Sequence, residues 1–156
     1  MKSAHATLNQ VLVSLFHHVV RIEELSLRKP GVSLRETHVI EAVCEATDHR
    51  MTALAQALHI TTGSFSVAVD TLERKGYLMR ERAKEDRRVI NIRPTEAALR
   101  VHEKHLAFHW EIADVIIELL DENQLDVLVG SLNSIHQHII DKGMNRPQST
   151  REGKSE

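Results

Sequence analysis

A mainly α-helical chain with one small β-hairpin is what this sequence predicts, and three observations carry the expectation. Apolar residues recur at helical spacing through most of the 156 residues. Two of the helices so marked, near the middle of the chain, are separated only by His59 and Ile60, which suggests a helix-turn-helix. Apolar and polar residues alternate over 77–82 and 89–93, on either side of a charged tip, Ala83-Lys84-Glu85-Asp86-Arg87-Arg88. A helix-turn-helix followed by a charged hairpin is a winged helix.

The first helix is carried by Leu8, Val11, Leu12, Leu15, Phe16, Val19, Val20, Ile22 and Leu25, and Pro30-Gly31 breaks it after about Lys29. Its apolar stripe is wide enough to pack on both its own domain and a partner. Ser33 and Glu36 make a capping-box pattern that opens a second helix, with Leu34, Val39, Ile40 and Val43 inward. A short third helix, 51–59, has Leu54, Ala55 and Leu58 on one side, with Asp48 or Thr52 as its expected cap. The fourth, 61–76, is capped by Thr61, buries Phe65, Ala68, Val69 and Leu72, and closes on Arg74, Lys75 and Gly76. Its other face carries Thr62, Gly63, Ser64, Ser66 and Val67 near the N-terminus. These are small side chains, most of them able to hydrogen-bond, as suits a helix entering a DNA major groove N-terminus first. After the hairpin, a long helix starts at Pro94-Thr95, and Asp121 starts the last one. Residues 143–156 have no apolar period and are expected to be a disordered tail. The expected organisation is thus an N-terminal dimerisation helix (1–32), a winged helix-turn-helix (33–94), C-terminal dimerisation helices (95–142) and the tail.

The formal net charge of −2 alone would argue against nucleic acid, but its distribution argues for it. Between residues 74 and 93 eight basic residues face three acidic ones, a local excess of +5 that leaves −7 for the rest. The single cysteine, Cys44, excludes an internal disulfide and fits a reducing cytoplasm; beside Val39, Ile40 and Val43 it reads as a small core residue. The sequence shows neither a secretory h-region nor a run of 18 apolar residues, so no membrane association is expected. A nucleotide-binding glycine loop and His-Glu-x-x-His are both missing, which leaves a histidine-based metallohydrolase as the remote enzyme alternative.

Leu72-Glu73-Arg74-Lys75-Gly76-Tyr77-Leu78, then Glu85-Asp86-Arg87-Arg88-Val89, then Pro94-Thr95-Glu96-Ala97, resembles the core signature of the MarR (multiple antibiotic resistance regulator) family of bacterial repressors, with the match running over roughly residues 33–106. The resemblance implies a cytoplasmic, sequence-specific DNA-binding repressor that is an intertwined homodimer through its N- and C-terminal helices and binds a palindromic operator in double-stranded DNA. It also implies that Arg88, steadied by Asp86, enters the minor groove, while Arg82, Lys84, Arg87 and the Thr61 cap region contact phosphates. At Arg50 the chain departs from the family, which usually has a Ser or Thr cap there.

Eleven histidines are an excess. His105 and His109 stand at i and i+4, a spacing that can place two imidazoles on one metal, and His102 lies a turn earlier. Glu24, His38, His105 and His109 resemble the zinc site of the family's zinc-responsive branch. Where that branch has carboxylates for a second site this chain has Thr37 and Lys104, so only one site is expected. A broader likeness points elsewhere. Arg21-Ile22-Glu23-Glu24-Leu25-Ser26-Leu27-Arg28, Thr62-Gly63-Ser64, Leu72-Glu73-Arg74-Lys75-Gly76-Tyr77 and His102-x-x-His105-x-x-Phe108-His109 resemble the branch that represses fatty-acid synthesis in response to acyl groups on acyl carrier protein. The histidines therefore leave three readings open: a bound metal, a polar network lining a ligand pocket, and solvent-exposed imidazoles. The expected function is a repressor of fatty-acid synthesis genes with an acyl–acyl carrier protein effector. A zinc-responsive repressor is the alternative.

Overall fold

The structure is a computed structural model that describes residues 2–26, 31–83 and 89–142. Six helices and one hairpin follow in order: α1 (Lys2–Ser26), α2 (Leu34–Glu45), α3 (Met51–Ala57), α4 (Thr62–Arg74), β1 (Leu78–Arg82), β2 (Ile90–Pro94), α5 (Glu96–Leu119) and α6 (Glu122–Asp141). By contact the chain divides into two compact units after His109. The sequence division at residue 94 followed element type. The contact boundary falls later, because Ala98, Val101, His105 and Phe108 of α5 are buried in the first unit.

The core of the first unit is one cluster. Val39, Ile40 and Val43 of α2, Leu54 and Ala55 of α3, and Phe65, Val69 and Leu72 of α4 meet Leu78 and Ile92 of the hairpin and Ala98 and Val101 of α5. Each helix contributes the side its 3.6-residue period marks. β1 and β2 pair antiparallel with Leu78 opposite Pro94, Arg80 opposite Ile92 and Arg82 opposite Ile90, so alternate residues face the core. A third short segment joins this sheet: Arg50 bridges Asn91, and the Ile92 amide donates to the His49 carbonyl at 2.9 Å. The same pairing explains how α3 starts without a side-chain cap from Arg50. Asp48 does not cap α3 directly; its carboxylate accepts from the Arg50 amide at 3.0 Å and from the Arg50 guanidinium. Those hydrogen bonds hold the Asp48 carboxyl down at about 2.

α2 opens with the expected capping box, Ser33 accepting from the Glu36 amide while Glu36 accepts from the Ser33 amide. Lys75, at the end of α4, reaches Glu36 at 2.9 Å and the Gly31 carbonyl at 3.1 Å. Burial pushes the Glu36 carboxyl up, but the Ser33 amide and Lys75 outweigh it and the net shift is downward. The contribution of Glu36 to stability is therefore present above the unfolded glutamate pKa and lost as pH falls through its depressed folded value. Urea melts across the acid range should show Glu36→Gln costing about 0.5–1 kcal/mol near neutral pH, with the difference from the native chain vanishing in acid. A difference that persists in acid would break this account.

Cys44 is half-buried against the core, as expected. Burial, then the nearby carboxylates of Glu45 and Glu41, push its thiol up to about 11. Alkylation near pH 8 should be about a hundredfold slower than for an unperturbed thiol, since the thiolate is the nucleophile. Denaturant should restore the ordinary rate.

The long helices expose apolar residues in this single chain. On α1 the only buried residue among those described is a glutamate, Glu23, while Leu8, Val11, Leu15 and Phe16 are all more than half exposed. In the second unit α6, capped by a box of Asp121 and Gln124, buries nothing. Val127, Leu132 and Ile135 along it are 70%, 53% and 55% exposed. The expected tail, 143–156, lies outside the described residues.

Candidate nucleic-acid interface and carboxylate–histidine site

α4 is held so that its N-terminal turn projects. The turn from α3 passes through His59 at φ 54°, a left-handed conformation uncommon for a residue with a Cβ, and the Ile60 amide then returns to the Ala55 carbonyl at 3.0 Å. The Thr61 hydroxyl oxygen accepts from the Ser64 amide at 3.1 Å and donates to the Ser64 hydroxyl at 2.9 Å. Thr61, Thr62, Gly63, Ser64 and Val67 are exposed, and Ser66 is half-buried. Val67, at 66%, is among the more exposed apolar side chains of the first unit. A Cβ on Gly63 would come no closer than 4.0 Å to Thr61 Oγ1, so nothing in the protein itself requires glycine there. The C-terminal end does require one: Gly76 sits at φ 79° while the Tyr77 amide reaches back to the Leu72 carbonyl at 2.9 Å.

The basic strip counted in the sequence is smaller in space. Arg80 is paired with Asp70 at 2.6 Å and with Glu73, Arg93 with Glu81 at 3.1 Å, and Lys75 with Glu36. Three of the eight basic residues thus already have carboxylate partners on their own domain. Arg82, at the end of β1, is exposed and has no ion pair among the described residues. Lys84, Asp86, Arg87 and Arg88 lie outside the described residues. On either side of them the Ala83 amide donates to the Val89 carbonyl at 3.0 Å.

The histidine site differs from the expectation in one ligand and gains another. His105 is 1% exposed, and its Nε2 lies 2.5 Å from Glu23 Oε1, itself on a buried side chain. Glu24 is exposed and is not part of this group; successive helix residues diverge by about 100°, and the rotation of α1 turns Glu23 inward. His109 Nε2 lies 3.1 Å from His105 Nε2 and 4.0 Å from Glu23 Oε1. On the other side of the His105 ring, Nδ1 lies 3.5 Å from Glu41 Oε1 of α2, and the exposed His38 ring is 5.7 Å away, centre to centre. The structure therefore brings His105, His109 and His38 near one another. Glu41 was missed in the sequence, where nothing distinguishes it from the other acids of α2.

Two imidazole Nε2 atoms facing each other at 3.1 Å can share one proton or one cation. In a tetrahedral zinc site with bonds near 2.0 Å, neighbouring ligand atoms are about 3.3 Å apart. Glu23, His105 and His109 bracket that spacing, so the residues fit a metal as well as a hydrogen-bonded network.

The description "MarR family" matches residues 32–90. Streptococcus pneumoniae FabT, whose crystal structure is in complex with DNA, is 31% identical with a TM-score of 0.80, over 88% of this chain and 98% of that one. The chain belongs to the MarR family. Among curated relatives of this MarR-family chain, the HTH-type transcriptional regulator MhqR of Bacillus subtilis is 25% identical over 109 residues, 70% of this chain and 75% of MhqR. SarZ of Staphylococcus haemolyticus, also an HTH-type transcriptional regulator, is 27% identical over 117 residues, 74% of this chain and 77% of SarZ. Both are named as transcriptional regulators. Among the described residues no helix is long and apolar enough to cross a membrane.

Proposed function

We propose that this MarR-family chain is a homodimeric repressor that binds a palindromic operator and regulates fatty-acid synthesis genes, with a long-chain acyl group on acyl carrier protein as effector. The likeness to FabT over nearly its whole length carries the reading, supported by the matches at residues 21–28, 62–64, 72–77 and 102–109. α4 supplies the base-reading face: Thr62, Ser64 and Ser66 offer hydroxyls, and the exposed Val67 suits a thymine methyl. Arg82 and the tip residues Lys84 and Arg87 contact phosphates, and Arg88 enters the minor groove. A second copy covers the exposed apolar faces of α1 and α6, and two-fold symmetry sets half-sites about 10 bp apart.

A zinc-responsive repressor is the second reading, favoured by the convergence of Glu23, His105 and His109. The experiment that separates the two measures operator affinity with zinc, with chelator and with long-chain acyl carrier protein. The acyl reading expects a response to the acyl protein that grows with chain length and is indifferent to chelator. Stimulation by zinc alone overturns it in favour of the second reading, and response to neither removes the site from effector recognition. DNA binding itself is tested by Arg88→Ala, which should weaken specific binding while sedimentation still shows a dimer. Unchanged operator affinity would sink the role of Arg88.

A further inference from the structure

A second set of metal-ligating side chains lies between α2 and α5, on the far side of His105 from Glu23. Glu41 and Glu45 stand one turn apart on α2, and His102 comes from α5 one turn before His105. One ligand atom from each of the three lies within 4.8 Å of the other two. Carboxylates at i and i+4 repel each other, and among the described residues neither is paired with a lysine or arginine. Their partners are histidines: His102 Nε2 lies 4.0 Å from Glu45, and His105 Nδ1 lies 3.5 Å from Glu41.

A second, independent observation concerns the ring nitrogens. His105 Nδ1 is buried and makes no hydrogen bond, lying 3.5 Å from Glu41, while the opposite nitrogen of the same ring is taken by Glu23. His102 Nδ1 is buried without a hydrogen-bond partner as well. A polar atom left unsatisfied in the interior costs about 1–3 kcal/mol. Two such atoms beside two carboxylates with no lysine or arginine partner among the described residues describe a place short of positive charge.

We infer that Glu41, Glu45 and His102 form a binding site for a divalent first-row transition ion such as Mn²⁺ or Zn²⁺, separate from Glu23, His105 and His109. The donor set selects the class. Magnesium and calcium favour oxygen ligands alone, whereas two carboxylates with one imidazole suit manganese or zinc. Glu45 is 61% exposed, so water completes the coordination, and a turn of that free side chain contracts the set to bonding distance. Glu41 then links the ion to His105: a carboxylate that binds metal through one oxygen and faces Nδ1 with the other orients the ring as an outer-sphere partner. The other nitrogen of that ring belongs to the first site, so occupancy of one site is felt at the other.

The test uses the full chain freed of metal by chelator. Mn²⁺ uptake is followed by the loss of its free-ion electron paramagnetic resonance signal, Zn²⁺ uptake by calorimetry, and helix content by circular dichroism. Glu45→Gln and His102→Gln should each weaken one Mn²⁺ site by about tenfold or more, with helix content unchanged, while His136→Gln, at an exposed histidine of α6, leaves that site's affinity within about twofold. A native chain that takes up neither ion at millimolar concentration overturns the inference. So does a set of Mn²⁺ affinities that all survive Glu45→Gln or His102→Gln.

Discussion

Operator affinity should fall on the order of a thousandfold between about 50 and 200 mM salt, although the chain as a whole is acidic. Each neutralised phosphate contributes a slope of about −0.9 in log affinity against log salt, and six or so contacts across a dimer give a fall of that size. The structure shows which cations already have carboxylate partners. Arg80, Arg93 and Lys75 are paired with Asp70, Glu73, Glu81 and Glu36, so they release few counterions on binding. The proposed reading assigns the contacts to Arg82 and the tip residues. Arg82→Ala should therefore make the slope shallower by about 2 for the dimer, while Arg93→Ala should leave it almost unchanged. Filter binding or fluorescence anisotropy at a series of salt concentrations checks both. A flat salt dependence would remove the DNA-binding reading altogether.

Phe65→Ala should destabilise the first unit by about 3–5 kcal/mol. Phe65 is fully buried among α2, α3, α4, the hairpin and α5, and truncation leaves a cavity that these elements cannot all close. Ser64→Ala and Val67→Ala, on the outward face of the same helix, should change stability by no more than about 0.5 kcal/mol, and their effect should appear in operator binding. Denaturant melts at one fixed protein concentration separate the two classes, since the proposed dimer makes stability depend on concentration. A Phe65→Ala chain that melts with the native one would mean that α4 is not anchored by its inner face.

The elements were legible because their signals are local. The Ser33–Glu36 box, the Thr61 cap, the Gly76 stop and the restart at Asp121 are each written within a few residues. What was not legible depends on rotation and on distance. Glu23 and Glu24 differ by one step on a helix whose apolar stripe is wide, so periodicity does not say which carboxylate turns toward His105. Arg80 finds Asp70 and Glu73 on α4, and Arg93 finds Glu81 across the hairpin, pairings that a count of charges along the chain cannot resolve. The Arg50–Asn91 bridge joins segments forty residues apart, and no local pattern announces it. Glu41 faces His105 only because α2 and α5 cross there.

The way the hairpin is closed bears on how such a chain can diversify. At its foot the Thr95 hydroxyl reaches the Gly76 and Tyr77 carbonyls at 2.8 and 3.0 Å, and the Thr95 amide returns to Tyr77 at 2.9 Å. At its upper end the Ala83–Val89 bond closes the ladder just before the tip. Among the described residues, the hydrogen bonds that fix register therefore lie below residues 84–88. Doubling the loop's length would cost only about 0.6 kcal/mol in closure entropy, so insertions and charge changes at the tip can accumulate with little penalty to folding. A lineage can thus vary residues 84–88 while the helices beneath stay under separate selection for their core.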